Sequence, residues 1–384
     1  MNKPARYIPS LTPLRGIAAL MVVLFHYNDF LVFQDLSNLN SISMILAKGY
    51  LWVDFFFVLS GFIICHVYGE RLLKPTGPIV RKYLWARFSR LYPLHVFALL
   101  LCIPLIGFQF LLNEEMSMQA LVNFYQPSEF FIQLFFLQVT GITHSYAWNV
   151  PSWSIAAEWW VYILAVGFFP LLNRGFNWRT IVSWALALAG LTLMVLNHPD
   201  GKLDEIFELA TVRCLCSFLI GIGVYQVYEI FRDQKGIWAW DGTFFFLALS
   251  IILCLHFAVF DIVLIPLFAA LILSAALNEG KAAKILNQKG LTWLGDISFS
   301  VYLIHMSFLQ VWWIYIIHVY RPQNPDVDAS LGEKLMWIGA LLVVILAFGH
   351  ISYRYVELPA QKWLRGMWKD ASKEIHADSE KHTA

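Results

Sequence analysis

The stretch Leu11-Thr-Pro-Leu-Arg15-Gly-Ile-Ala-Ala-Leu20-Met-Val-Val-Leu-Phe-His26-Tyr-Asn-Asp29-Phe-Leu-Val-Phe33 decides what kind of molecule this is. From Leu14 to Phe33 it reads as one apolar run, and roughly 20 such residues cross a bilayer as a helix. It is too long for the apolar part of a cleaved leader and lacks a small-x-small end, so it is expected to be a retained first helix. Yet it carries Arg15, His26 and Asp29. Ionisable groups are expensive inside a membrane and are functional candidates by default.

The rest of the chain repeats the pattern. Of 384 residues, 59% are hydrophobic and 14% charged, and the mean hydropathy is +0.61. A soluble core of this length cannot hide so much apolar surface. A soluble enzyme, a disordered chain and a nucleic-acid binder are excluded. Ten apolar runs are expected to span, near 13–33, 50–69, 91–112, 155–173, 178–197, 206–230, 243–260, 262–277, 297–319 and 335–356. The expected fold is thus an all-α, multi-pass integral membrane protein. Its transmembrane domain covers residues 1–356, and a charged cytoplasmic tail covers 357–384. The seventh and eighth runs are separated only by a tight turn near Asp261. The 13-residue run Phe130–Ile142 is too short to span and is expected to be interfacial or re-entrant within a loop over 113–150. The five cysteines all lie in apolar runs, without zinc-like or disulfide-like spacing, so no metal site is expected.

Ten spans put both termini on one side. Counting Arg179 and Arg354 at the span ends, that side holds 21 of the 27 Lys and Arg residues, the opposite side holds 4, and Arg15 and Arg213 lie deeper within spans. By the positive-inside rule both termini are cytoplasmic. The expected location is a bacterial inner, cytoplasmic membrane.

Arg15 and His26 are eleven positions apart, three turns plus about 20°, so both face one way, about 16 Å apart along the axis. Asp29, one turn on, is positioned to orient the imidazole. Counting inward from the expected outer surface puts His26 and Glu158 at one depth, a general acid–base arrangement. Asp54 is a second buried carboxylate. Arg213 comes to a similar depth as counter-ion for Glu158 or for Asp54, and a plain ion pair explains these residues equally well. On the cytoplasmic side Arg87 and Arg90 share a helix face. With Arg15 they can cradle an anion, because a guanidinium fork suits phosphate. They can equally serve as topology determinants reaching lipid phosphates. Ser298, Tyr302 and His305 form one polar stripe, suited either to substrate contact or to helix packing. Trp153 beside the site is a candidate sugar-stacking residue. Pro359 is expected to end the last span. There is no Gly-x-Ser-x-Gly, Walker or His-Glu-x-x-His pattern.

At these residues the chain resembles the membrane acyltransferase-3 family, integral-membrane O-acyltransferases of bacterial surface glycans. The opening segment followed by His26 resembles the family's Arg-x10-His signature, and Arg87-Phe-Ser-Arg90 its Arg-x-x-Arg motif. Phe55–Phe62, Pro151-Ser-Trp-Ser…Glu158, Ser298–His305 and Tyr355-Val-Glu-Leu-Pro359 resemble further blocks in the family order. The likeness runs over roughly 11–365. It implies ten helices and a cytoplasmic acyl-CoA donor, by default acetyl-CoA, with no permanently bound cofactor. It also implies delivery of the acyl group to a hydroxyl of a glycan acceptor (O-antigen, capsule, exopolysaccharide or another) at the outer face. The stand-alone type, without a fused hydrolase-like domain, is expected. His26, with Glu158 and Asp54, would then carry the catalysis; Arg15, Arg87 and Arg90 would hold the CoA phosphates; Asp29, Trp153, Arg213, Tyr302 and His305 would contact substrate. Lipid surrounds the protein, nucleic acid is not a partner, and the oligomeric state is not legible. The competing class is a transporter or flippase for a lipid-linked or anionic substrate, which shares a polar mid-membrane cavity.

Overall fold

A computed structural model of the chain describes residues 7–31, 40, 43–112, 125–145, 147–172, 175–234, 236–315, 320, 323 and 330–368. The described residues are helical with no strand. In chain order the helices are α1 (Leu11–Leu31), α2 (Trp52–Leu72), α3 (Gly77–Leu112), α4 (Pro127–Leu134), α5 (Ser152–Phe168) and α6 (Trp178–Asn197). They continue with α7 (Ala210–Phe231), α8 (Asp241–His256), α9 (Leu264–Leu277), α10 (Lys281–Leu286), α11 (Lys289–Tyr315) and α12 (Leu331–Ser352). Seven helical stretches among the described residues are long and apolar enough to cross a membrane, while α8 and α9 are shorter apolar helices. This makes the chain a multi-pass membrane protein. Large apolar side chains such as Leu186, Phe246 and Val343 stand exposed on α6, α8 and α12, as lipid-facing surfaces require.

The tightest packing joins α1 to α11 and α2 to α7. Without a hydrophobic force between helices in lipid, close approach rests on small residues. A Cβ built at Gly16 would lie 2.7 Å from the Gly295 backbone nitrogen, and one at Gly221 would collide with the Val58 carbonyl. Both pairs run parallel: Gly16 meets Gly295 and His26 meets His305; Asp54 meets Arg213 and Phe62 meets Tyr225.

Several boundaries differ from expectation. Between the expected runs 50–69 and 91–112 the chain is almost wholly helical: α2 runs to Leu72 and α3 starts at Gly77. Charge does not stop a helix, so hydropathy marks the apolar part of α3 and misses its basic first turns. At 36 residues, α3 is about 54 Å long. The run Phe130–Ile142 becomes the short α4 followed by turns, with left-handed backbone at Phe136 (φ 60°) and later at Trp148 (φ 61°). This segment holds a buried polar network in which Gln133 bonds Ala147, Asn149 and Ser152. The expected turn at Asp261 is present and works as a staple: its carboxylate accepts from Lys48, from the Tyr50 hydroxyl at 2.6 Å and from the Leu203 amide at 2.8 Å.

The last helix stops neither at residue 356 nor at Pro359. Tyr353–Glu357 form a π-helical turn, after which the helix continues to Trp368. Pro359 falls in the first turn of the resumed α-helix, where its missing N–H is tolerated. Glu357 is buried rather than solvated. Trp85 donates to the Leu364 carbonyl at 2.9 Å and stacks on Trp368, which ties the end of α12 to α3.

Candidate active site

Five helices wall a cavity of about 830 Å³ including its open mouth. Arg15 comes from α1, Phe56 and Ser60 from α2, Arg87 and Arg90 from α3, Ser154, Glu158 and Tyr162 from α5, and Ser298, Phe299 and Tyr302 from α11. Helical spacing explains the grouping. Arg87 and Arg90 are one turn apart, as are Ser154, Glu158 and Tyr162 in succession, and Ser298 and Tyr302.

The three arginines are held differently. Arg90 donates from Nη1 to Glu357 Oε1 at 2.9 Å, and the other carboxylate oxygen accepts from Ser300 at 2.8 Å. Arg87 lies against two aromatic faces, its guanidinium carbon 5.2 Å from the Tyr68 ring centroid and 5.9 Å from that of Tyr162. Arg15 and Arg87 have no ion-pair partner among the described residues, and the Nε of each is buried without a hydrogen bond. A buried donor left unmade costs about 1–3 kcal/mol, more when charged. Such guanidinium groups around one cavity suit an anion.

Glu158 does not reach His26. Its Oε1 accepts from the Tyr162 hydroxyl at 2.5 Å, and since that proton is committed, Ser60 donates to the Tyr162 oxygen at 2.8 Å. Ser154 on α5 is level with Tyr302 on α11, their hydroxyls 2.6 Å apart. Glu158 is one turn from Ser154 in one axial direction, and His305 is nearly one turn from Tyr302 in the opposite direction. Glu158 and the imidazoles are therefore offset by roughly 10 Å along the axes, not level as expected.

Asp54 and Arg213 are committed to each other. Arg213 Nη2 lies 2.6 Å from Asp54 Oδ2, both side chains are fully buried, and Ser217 donates to Oδ1 at 3.2 Å. Neither lines the cavity. Trp153 packs on the same pair, with the Arg213 guanidinium 5.4 Å from its ring centroid, and it is 8% exposed. These three residues form a braced unit between α2, α5 and α7, and none of them lines the cavity. The Asp29 side chain lies outside the described residues.

The imidazoles of His26 and His305 meet, His305 Nε2 to His26 Nδ1 at 3.3 Å. His26 Nδ1 is also 3.0 Å from the Val22 carbonyl, and His305 Nδ1 is 2.6 Å from the Tyr302 carbonyl. Neither ring lines the cavity; Tyr302 stands between, its phenol in the wall and its carbonyl on His305. Of the residues the structure brings to one cavity, spacing singled out Arg15, Arg87, Arg90, Glu158 and Tyr302. It missed Tyr162, although the i,i+4 relation to Glu158 was a usable signal. It also missed the hold of Glu357 on Arg90, for which no local signal exists.

No solved structure matches the chain. A Staphylococcus aureus (strain COL) protein that carries O-acetyltransferase as a provisional name is 24% identical over 390 residues, covering 94% of this chain and 58% of that protein. O-acetyltransferase OatA of Staphylococcus aureus (strain NCTC 8325 / PS 47) is 23% identical over 398 residues, covering 93% of this chain and 58% of OatA. "Protein 2 in picA locus" of Rhizobium radiobacter is 36% identical over 142 residues, 37% of this chain and 65% of that protein. The chain thus spans a little over half the length of the staphylococcal relatives. The profile of the family described as "Acyltransferase domain" matches residues 8–353, which include every arginine and histidine of the site. On that match the chain belongs to the membrane acyltransferase-3 family.

Proposed function

We propose that the chain is an O-acyltransferase that moves an acyl group, by default acetyl, from cytoplasmic acyl-CoA to a hydroxyl of a cell-surface or lipid-linked glycan at the outer face. The observation that carries this reading is the set of three arginines around one cavity, two of them without an anionic partner among the described residues, on helices that also bear the imidazole pair about 16 Å further along α1. Arg15, Arg87 and Arg90 hold the donor phosphates. The pantetheine arm extends along α1 past Tyr302 and brings the thioester carbonyl to His26. His26 takes the proton of the acceptor hydroxyl as its oxygen attacks the carbonyl carbon. The C–S bond breaks, and the thiolate takes the proton from the imidazolium. Such general-base help is worth ~10²–10⁴-fold. Relatives that bear O-acetyltransferase names support the reaction class.

The ten-span arrangement with both termini in the cytoplasm belongs to the same reading. It requires α1 and α11 to cross in one direction, likewise α2 and α7, with α3 opposite to α5 and α6 opposite to α7. In support, helix pairs run parallel at Gly16/Gly295 and Asp54/Arg213 and antiparallel at Phe88/Trp159 with Tyr83/Tyr162 and at Thr180/Gln226 with Trp184/Ile220.

The test is transfer of labelled acetyl from acetyl-CoA to a glycan by the protein reconstituted in vesicles. His26→Ala is expected to lose about 100-fold or more in rate. Full activity of that variant removes the base assignment. Movement of acceptor across the bilayer with no label transfer points to a transporter instead.

A further inference from the structure

We infer that His305 is the positioning residue for His26: its neutral ring, held by the Tyr302 carbonyl, offers Nε2 as acceptor to His26 Nδ1–H and so fixes His26 Nε2 as the basic atom. The inference rests on the proposed role of His26 and adds what selects its tautomer.

Hydrogen-bond chemistry carries the argument. A carbonyl only accepts, so His305 Nδ1, 2.6 Å from the Tyr302 oxygen, bears the proton. A neutral imidazole has one N–H, so His305 Nε2 holds a lone pair. His305 is fully buried, where a neutral ring is the inexpensive form. Its Nε2 faces His26 Nδ1 at 3.3 Å, and the Val22 carbonyl faces the same nitrogen at 3.0 Å. Both neighbours of His26 Nδ1 are acceptors, so that nitrogen carries the proton and the lone pair sits on Nε2. No partner for Nε2 exists among the described residues, and His26 as a residue is only partly buried, so Nε2 is the atom left to take a proton from a substrate hydroxyl. When His26 accepts a proton at Nε2, its Nδ1–H becomes a stronger donor and the contact with His305 stabilises the imidazolium. The arrangement has the logic of a base oriented by a third group, with a neutral imidazole where a carboxylate is more usual. His305 is fully buried whereas His26 is only partly so, so His305 acts through His26 and not on substrate.

Two isosteric fragments of the ring separate the contacts. Asparagine at 305 keeps a donor near the Nδ1 position for the Tyr302 carbonyl but has nothing at Nε2. Glutamine reaches the Nε2 position with a carbonyl oxygen. Purified, vesicle-reconstituted His305→Asn is expected to show kcat lowered by ~10–100-fold, a share of what a positioned base supplies, with the acetyl-CoA KM within twofold of wild type. His305→Gln is expected to recover most of that loss. An Asn variant at wild-type kcat, or a Gln variant no faster than Asn, overturns the positioning role. An Asn variant whose loss appears in the donor or acceptor KM overturns it too, in favour of substrate contact. His26→Ala, assayed alongside, keeps the two readings apart. If it is active at wild-type rate the base assignment itself falls. If it is inactive while His305→Asn runs at full rate, only the present inference falls.

Discussion

Gly16 on α1 lies backbone to backbone against Gly295 on α11, and the interval between them is the same 279 positions that separates His26 from His305. Ten residues further along each helix, the shared register delivers one imidazole to the other. Two parallel helices that keep step over nearly three turns therefore build the pair, and the glycine contact sets the step.

Gly16→Ala is expected to push α1 away from α11, because the added methyl meets backbone that cannot turn aside. Overpacking of this kind costs about 1–3 kcal/mol. The detergent-solubilised variant should melt several degrees lower, and the transfer rate of the folded fraction should also fall as the imidazoles separate. A silent Gly16→Ala would show that the register tolerates slack.

Arg87 and Arg90 lend themselves to charge reversal. Arg87→Glu should raise the acyl-CoA KM by at least ~10-fold, since a hydrogen bond to a charged group is worth about 1.5–3 kcal/mol and repulsion adds to its loss. Glu357→Gln removes the charge that holds Arg90 and should raise the same KM by a smaller factor. Isothermal titration with a non-transferable acyl-CoA analogue checks both. Unaltered affinity would remove the arginines from donor binding.

Asp54 and Arg213 give a sharper contrast. Removing one member of a buried pair costs about 3–5 kcal/mol, whereas replacing both with apolar residues of similar volume is close to neutral. Asp54→Leu alone should fail to accumulate as folded protein. Asp54→Leu with Arg213→Met should fold and retain transfer activity. A folded but inactive double variant would return Asp54 to the chemistry.

Asp241 ties α8 to the start of α10. The backbone N–H groups of Ala282 and Lys281, each at 2.9 Å, and then the Asn278 amide hold its carboxyl below the usual carboxylate range. A depressed value means that the charged form stabilises the fold above the unfolded-state value near 3.9, and that this is lost as pH falls through the folded value. Asp241→Ala should lower Tm at pH 7, and the gap to wild type should close on acidification below about pH 4. A gap constant with pH would assign the effect to packing.

The sequence made Arg15, Arg87, Arg90 and Tyr302 legible because helical period alone decides which residues share a face. Partner choice was less legible. Whether Arg213 serves Asp54 or Glu158 depends on the parallel approach of α2 to α7 at Gly61 and Gly221, a contact between residues far apart in the chain. Depth was misjudged for a related reason. Counting inward from an assumed surface ignores the axial offset between helices, which the Ser154–Tyr302 contact fixes. His305 was visible as part of a stripe, but its pairing with His26 follows from a register that no local pattern encodes.

The wide turn at Tyr353–Glu357 has a phase consequence. It inserts extra winding just before the chain resumes its ordinary pitch. Closing its five residues as regular 3.6-residue helix, with none removed, would rotate everything beyond it by about 100°. Leu364 and Trp368 would swing off Trp85, and position 357 would no longer aim at Arg90. The bulge therefore acts as a clocking device that sets the azimuth of the chain's last described helix relative to the basic end of α3.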